Sequence, residues 1–404
     1  MKKTNINYFS VILVAAAVFM MNSARAAQVY DKDGTSLAIG GRLQAVYYGK
    51  DADEEGGPET GDANLNSSGR LNIGVRTALS DRIDGFAYAE WDVADGDGHG
   101  QFDARYSWIG VDFGQFGLIK GGRFEDAFYY VQEPSDIFDD FGGLGIFGNE
   151  DRRSGLIMYS WSGYGIDFNI SYNTAKDDQV VEGAYFPSYD NEDATHSKTE
   201  KLDIEHGAFA SLGYTSPDVL FGPISIRAGG GYIAFSNHID HSTGYYYNQG
   251  FYYSSSDASV YEFTFRYDEF TQFGASLSWG TLEAGPYVAA MFQKRNFEFI
   301  GIPSSYYIAD IDIIGGDLVG GYTFANGLGL YLGVEYQEGD FGDIEVEALT
   351  VPVYIVYKFT PNFMVWAEGR FDMGTDDDTI KSFKRYTDID VEQNIFSLGT
   401  RLTF

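Results

Sequence analysis

Five arginines and three aspartates are the charged residues of this 404-residue chain whose pattern suggests joint action. The arginines occupy polar positions near alternating apolar–polar segments; they are Arg42, Arg70, Arg105, Arg123 and Arg152. The aspartates, Asp136, Asp139 and Asp140, share one glycine-rich stretch. Cations on one wall that face carboxylates across water create a transverse field, which aligns polar solutes and disfavours apolar ones. The pattern therefore predicts an electrostatic constriction; the alternative is a set of ordinary wall arginines without a focused field.

The stretch that carries the aspartates, residues 125–152, is called the inner loop below. It also carries six large apolar residues: Ile137, Phe138, Phe141, Leu144, Ile146 and Phe147. A loop surrounded by water gains little from so many apolar side chains. We therefore expect it to fold inward and to pack on an inner wall, while its aspartates stay hydrated. The alternative is an external loop that packs on its neighbours.

The wall itself is predicted by alternation with a period of two. Residues 71, 73 and 75 are apolar, whereas residues 72, 74 and 76 are Asn, Gly and Arg. Such a strand suits lipid on one side and water on the other. The final segment, 394–404, alternates in the same way and ends within a strand at Phe404. Because a strand in a membrane needs partners at both edges, the pattern favours a closed barrel.

Loop lengths fix the predicted number of strands. Splitting 260–279 in two would give seventeen, an odd number for a bacterial barrel, and would break the alternation of short and long connections. The apolar residues of both halves are odd-numbered, so we predict one strand there and sixteen in all. They cover residues 37–48, 70–79, 84–93, 105–113, 117–124, 153–161, 165–173, 207–215, 224–235, 260–279, 285–294, 317–324, 328–337, 349–359, 363–372 and 394–404. The predicted fold is all-β: a 16-stranded antiparallel transmembrane β-barrel with short periplasmic turns and long external loops, wide enough to leave an aqueous channel.

The first 26 residues are predicted to be a cleaved signal peptide. Two lysines precede an apolar run from Val11 to Met21, and Ala24-Arg25-Ala26 has the pattern of a cleavage site. The apolar run is too short to span a bilayer as a helix. Residues 27–404 would then form a single barrel domain. The chain has no cysteine, so an exported protein of this size would be stable without disulfides.

Charge is distributed unevenly along the chain. After cleavage the chain would hold 24 basic and 59 acidic residues, a net charge of −35, which excludes a nucleic-acid surface. The eight predicted external loops alone hold 42 acidic and 9 basic residues. Such a mouth should concentrate cations and repel small anions at low salt. The alternative is that these carboxylates solvate the loops or bind divalent cations together with lipopolysaccharide.

Other signals are weak, and no cofactor or metal site is predicted. The run Asp95-Gly96-Asp97-Gly98 lacks the remaining ligands of a calcium loop, and His238 and His241 lack a zinc-site context. An enzyme is disfavoured because the sequence has no nucleophile motif. A solute-specific channel is the closer alternative, although the sequence shows no clear ladder of aromatic or basic residues. A third alternative is a structural protein or adhesin that does not conduct ions.

Five segments resemble the general, non-specific outer-membrane porins of Gram-negative bacteria. They are 27–34, 39–43, Gly121-Gly122-Arg123-Phe124, Phe138-Asp139-Asp140-Phe141-Gly142-Gly143 and the terminal Phe404. The resemblance implies a homotrimer in a bilayer with lipopolysaccharide, and passage of small polar solutes and ions. It also implies a third loop in the lumen, with Asp136 and Asp140 facing Arg42, Arg70, Arg105 and Arg152, and Arg123 beside them.

The chain departs from that family in one motif. The family often has Pro-Glu-Phe-Gly-Gly where this chain has Asp139-Asp140-Phe141-Gly142-Gly143, which makes the loop more acidic and less rigid. Either Arg152 or Arg153 could take the fourth basic position.

Overall fold

The computed structural model describes most of the chain after residue 25. The described ranges are 26–49, 63–94, 102–147, 152–187, 197–236, 239–240, 245–246, 249–250, 265–300, 310–340, 345–373 and 394–404. The predicted signal peptide up to residue 25, the run Asp95–Gly98, and His238 and His241 lie outside them. Within these ranges no helix has the length and apolar character needed to cross a membrane.

The described residues form twenty-one strands, one short α-helix and one turn of 3-10 helix, Gly114–Phe116. The strands are β1 (Ala27–Lys32), β2 (Thr35–Tyr48), β3 (Asn64–Ser80), β4 (Ile83–Ala94), β5 (Asp103–Asp112), β6 (Leu118–Phe124), β7 (Arg153–Gly163), β8 (Ile166–Asn173), β9 (Lys176–Pro187), β10 (Ser197–Thr215), β11 (Ile224–Phe235), β12 (Ile239–Asp240), β13 (Tyr245–Tyr246), β14 (Gln249–Gly250), β15 (Phe265–Gly280), β16 (Gly285–Ile300), β17 (Ile311–Thr323), β18 (Leu328–Asp340), β19 (Glu345–Thr360), β20 (Phe363–Asp372) and β21 (Ile395–Thr403). The helix α1 (Tyr129–Gln132) lies in the inner loop.

Sixteen of these strands close into an antiparallel barrel. They are β2 to β8, β10, β11 and β15 to β21, and each pairs with the next. The last strand, β21, pairs with β2 and closes the barrel, with a register that runs from Tyr48↔Ser397 to Arg42↔Thr403. Each corresponds to one of the sixteen predicted strands, so the fold prediction is confirmed. Several strands extend well beyond their predicted ends; β3, for example, begins at Asn64 rather than at residue 70.

Two strands, β21 and β1, share the edge of β2 at which the barrel closes. Strand β1 was not predicted from the sequence. Strand β1 pairs with the part of β2 that β21 leaves free, beginning at Ala27↔Ile39. Phe404 exchanges two 2.9 Å backbone hydrogen bonds with Gly41, two residues along β2 from Ile39, where the pairing with β1 begins. The turn between β1 and β2 is Asp33-Gly34, with φ of 55° and 75°. An Asp-Gly pair at positive φ is a strong hairpin signal, so the sequence did contain a signal for the hairpin of β1 and β2.

Strand β15 is continuous, yet its alternation is interrupted once. The register against β16 shifts between Tyr267 and Glu269, a β-bulge at Asp268. Beyond the bulge Phe273 is 54 % exposed on the lipid side, whereas Tyr267 is fully buried on the inner side. The prediction of one strand is therefore right, but its argument from odd-numbered residues fails at Asp268, because a bulge reverses the face of every residue before it.

The inner wall is not uniformly polar, in contrast to what simple alternation predicts. Inward positions of β10, β11, β15 and β16 carry buried aromatic residues: Phe209, Phe235, Phe270 and Phe297. Phe128 and Phe147 of the inner loop join the same buried cluster. Burying each of these rings contributes roughly 1.5–3 kcal/mol. On this side of the barrel the inner wall and the inner loop therefore share an apolar core.

Candidate pore constriction

Backbone hydrogen bonds hold the inner loop against the inside of the barrel. Seven consecutive N–H groups, from residues 139 to 145, donate to three wall carboxylates at 2.6–3.2 Å. Glu368 of β20 accepts four of them, Glu335 of β18 accepts two and Asp317 of β17 accepts one. All three carboxylates are buried. Because each of these groups accepts hydrogen bonds from the backbone of the loop, the three together fix the path of the loop.

The local sequence of the loop explains this docking. A segment without regular structure leaves its N–H groups unsatisfied unless other groups accept from them. Glycine allows the backbone to approach the carboxylates closely: a Cβ at Gly145 would collide with the carboxylate of Asp317. Gly143 has a φ of 106°, a conformation that side-chain-bearing residues rarely adopt. The glycines of this motif therefore serve the contact with the wall.

The apolar residues of the loop complete the docking. Phe141, Leu144, Ile146 and Phe147 are all buried, and Gln293 of β16 donates to the carbonyl of Gly145 at 2.8 Å. The loop thus folds inward, as predicted, and the alternative of an external loop is excluded.

The three predicted aspartates occupy three different environments. Asp136 is exposed and accepts a 3.3 Å hydrogen bond from the Tyr129 hydroxyl. Asp139 forms a 2.8 Å ion pair with Arg401. Asp140 is only 8 % exposed and accepts hydrogen bonds from Trp366, at 2.7 Å, and from Ser397. Its position differs from the expectation of a hydrated, lumen-facing carboxylate, and burial raises the pKa of Asp140 above its ordinary value.

Three of the predicted arginines lie close together on the inner wall. Arg42 and Arg70 are directly opposite each other on β2 and β3. Arg70 forms a 3.0 Å ion pair with Asp92, to which Arg105 also binds at 3.4 Å. The charges that act on Arg42 are mainly those of Arg401 and Arg70, with Asp139 opposing them. Part of this positive charge is thus balanced within the wall.

The remaining candidates lie at the junction of β6 and β7. Arg152 forms a 3.0 Å ion pair with Glu125, and Arg123 donates to the carbonyl of Ala104 at 3.0 Å. Arg153 is 1 % exposed and bonds to Asp126 and Asn173 inside the wall. Of the two arginines left open by the sequence, Arg152 lies beside the other cations, whereas Arg153 is enclosed.

We expect Arg153→Met to lower the thermal stability of the barrel. The change leaves Asp126 buried without its cation, which costs roughly 3–5 kcal/mol. The temperature at which the folded, fast-migrating form is lost in electrophoresis should fall clearly. Arg82→Met, in an exposed turn, is the matched control and should leave this temperature unchanged. Equal behaviour of the two variants would show that the buried pair contributes no stability.

Sequence reasoning missed Arg401 and Glu133. Arg401 lies in the last strand, but closure of β21 on β2 brings it to Arg42, and its Nε donates to Gln44 at 3.0 Å. Glu133 follows α1 and forms a 2.7 Å ion pair with Arg227. The polar phase of the last strand was a usable signal for Arg401, whereas the position of Glu133 depends on how the loop docks.

Comparison with known proteins agrees with this architecture. The sequence model of the family described as "Gram-negative porin" matches residues 13–378. The chain is 26% identical over 235 residues to the putative outer membrane porin protein NmpC of Escherichia coli, a match that covers 52% of this chain and 61% of that protein. It is 25% identical over 187 residues to the outer membrane porin PhoE of Salmonella typhimurium, covering 43% of this chain and 51% of that protein. The matches thus span about half to three-fifths of these curated relatives.

Solved structures share the fold at low sequence identity. The structure of Salmonella typhi OmpF in complex with daunomycin has a TM-score of 0.63 and 16% identity, covering 94% of this chain and all of that one. OmpT of Vibrio cholerae, in its trimer form, has a TM-score of 0.60 and 16% identity, covering 92% of this chain and all of that one. These likenesses establish the barrel. Together with the match to the family model, they show that the chain belongs to the Gram-negative porins, a family of outer-membrane barrel proteins.

Proposed function

We propose that the protein is a passive diffusion channel for small hydrophilic solutes and ions across the outer membrane. The observation that carries this proposal is the docked inner loop, which occupies one side of a 16-stranded bore and leaves charged side chains on the other. Arg42, Arg70 and Asp136 are only partly buried or exposed there. Charged groups of both signs around a narrow wet space support a constriction that favours polar solutes. The names of the porin relatives support the same function.

We further propose that the channel prefers cations. The arginines of the constriction are largely balanced by nearby carboxylates: Arg105 is paired with Glu90 at 3.3 Å, and Arg401 with Asp139 at 2.8 Å. A nearly balanced constriction adds little selectivity of its own. Without the inner loop, which folds inward, the seven other predicted external loops hold 34 acidic and 8 basic residues, and this net charge of −26 would then decide which ions enter.

The reversal potential of the wild-type channel in a potassium chloride gradient tests this preference. We expect its sign to correspond to a cation-permeable pore, and its size to decrease when both solutions are made more concentrated, because salt screens exposed charges. A reversal potential of the opposite sign would refute the cation preference while leaving the channel function intact.

The proposed partners are two further copies of the chain and the surrounding lipids. The outer face of β3 to β7 has an apolar groove of about 690 Å³, lined among others by Val75, Ala87, Ile109 and Ile157. Such a groove supports packing of subunits into a homotrimer. On the outer face of β15 to β19, like charges lie directly opposite each other, for example Glu269↔Glu298 and Glu338↔Glu347. Because such pairs repel, they support contact with lipopolysaccharide through divalent cations.

A further inference from the structure

Four aromatic side chains form a continuous strip on the inner wall of β4 and β5. The ring centroids of Tyr106 and Tyr88 are 6.0 Å apart, those of Tyr88 and Trp108 are 5.5 Å apart, and those of Trp108 and Phe86 are 5.4 Å apart. Tyr88 lies directly opposite Trp108 in the sheet, and Ile109 on the alternate face is exposed on the lipid side. The four rings, called the aromatic strip below, therefore belong to the bore. This ladder is not evident in the sequence because its members alternate between two strands.

The aromatic strip begins at the level of the arginines and runs toward the periplasmic end. Tyr106 lies opposite Glu90, next to the ion pair between Arg105 and Glu90, whereas Phe86 lies three residues from the start of β4. At about 3.3 Å per residue, the rings span roughly 13 Å along the wall. A solute that has passed the arginines would meet this surface next. Tyr106 and Trp108 pack on one side against the buried cluster of the inner loop, but like Tyr88 they are only partly buried, so part of each ring remains accessible.

The rings are held in place by polar neighbours. The Tyr88 hydroxyl donates to Glu90 at 2.8 Å, and the Tyr106 hydroxyl donates to Glu125. A surface whose rings are already fixed loses little conformational entropy when a ligand stacks on it. The strip is therefore preorganised, unlike aromatic residues that lie on a loose loop.

Charges of both signs flank the strip. The Lys120 ammonium lies 5.2 Å from the centroid of Trp108, and the Arg152 guanidinium lies 5.2 Å from that of Tyr106. The two carboxylates that hold the tyrosines are themselves paired with cations, Glu90 with Arg105 at 3.3 Å and Glu125 with Arg152 at 3.0 Å, so a charged ligand of either sign would meet like charges beside the rings. A ligand with a net charge of either sign would therefore gain little. A neutral ligand with an apolar ring face and hydroxyl groups on its rim would use both the rings and the surrounding donors and acceptors.

From this arrangement we infer that the aromatic strip is a binding site for neutral saccharides, which stack their pyranose rings on Tyr88 and Trp108 while they pass through the pore. The inference rests on the proposed channel function and adds a substrate class to it. Binding at this site makes transport of sugars saturable, whereas other small solutes diffuse freely.

Titration of single channels with maltotriose tests the inference. We expect the sugar to reduce the wild-type conductance along a saturating curve, and Trp108→Ala to raise the half-saturation concentration roughly tenfold. Tyr88→Ala should raise it as well. Trp161→Ala is the matched control, because Trp161 lies on the opposite face of the sheet and its indole donates to the carbonyl of Gln115. Its half-saturation concentration for maltotriose should equal that of the wild type.

The outcomes separate this inference from the channel function. A wild-type protein without conductance would refute the channel itself. A conducting wild type whose current falls linearly with maltotriose would overturn the saccharide site alone, as would equal block by the acyclic polyol sorbitol at the same mass concentration. An unchanged half-saturation concentration in Trp108→Ala, in channels that conduct normally, would also overturn it.

Discussion

A channel in which Glu368 is replaced by alanine is expected to conduct more current and to fluctuate more than the wild type. The change removes the acceptor for four consecutive backbone N–H groups of the inner loop. Leaving them without an acceptor in the docked position costs roughly 3–5 kcal/mol, enough to favour partly detached positions of the loop. Single-channel recording measures the effect as a larger mean conductance and added open-channel noise.

Two further variants make this result specific. Glu368→Gln keeps one acceptor oxygen but directs an amide donor at the loop, so its conductance should lie between those of the wild type and the alanine variant. Glu283→Ala removes an exposed carboxylate in a turn between strands and should leave the conductance and the open-channel noise unchanged. If the alanine variant shows the same thermal stability and conductance as the wild type, the carboxylates do not hold the loop.

The second large effect is expected for Arg42→Glu, which should increase the cation preference of the pore. Arg42 lies among Arg70, Arg105 and Arg401, so the substitution reverses one charge at the centre of the basic wall. Near a partly hydrated surface, a change of this kind alters the energy of a passing ion by about 1 kcal/mol, which corresponds to roughly a fivefold change in the ratio of cation to anion permeability. The reversal potential in a salt gradient measures that ratio.

A charge reversal elsewhere provides the control. Arg82→Glu alters the net charge equally but lies in an exposed turn, so it should shift the reversal potential little. Equal shifts in both variants would mean that total charge, not position at the constriction, sets the selectivity. No shift for Arg42→Glu would remove Arg42 from the ion path.

The strands could be predicted because lipid imposes a simple rule on one face of each. Residues such as Leu330 and Leu332 are exposed on the outside and alternate with inward residues, and no distant contact is needed to recognise that pattern. The rule says nothing about a strand whose position depends on a partner. Strand β1 follows the edge of β2, and the bulge at Asp268 depends on the register of β15 against β16.

The inner wall was harder to predict for a related reason. Alternation says only that inward residues avoid lipid, not that they contact water. Phe209 and Phe270 are inward and apolar because the inner loop covers them. Their burial depends on a contact between segments more than 60 residues apart, and sequence periodicity carries no information about such contacts.

Part of the candidate site could likewise be predicted from the sequence, and part of it could not. Arg42 and Arg70 could be placed together from strand phase, and they are direct partners in the sheet. Asp140 could not be placed, because its orientation is set by Trp366 and Ser397, more than 220 residues away. The loop motif indicates that the segment docks, but only the wall determines which of its carboxylates stay in water.

The single-channel conductance of the purified wild-type protein in a planar bilayer tests the central claim most directly, namely that water fills the space between the docked loop and the arginine wall. The account predicts discrete steps of current that vary linearly with voltage and rise with the salt concentration. A correctly folded, membrane-inserted barrel that stays silent at every salt concentration would contradict it.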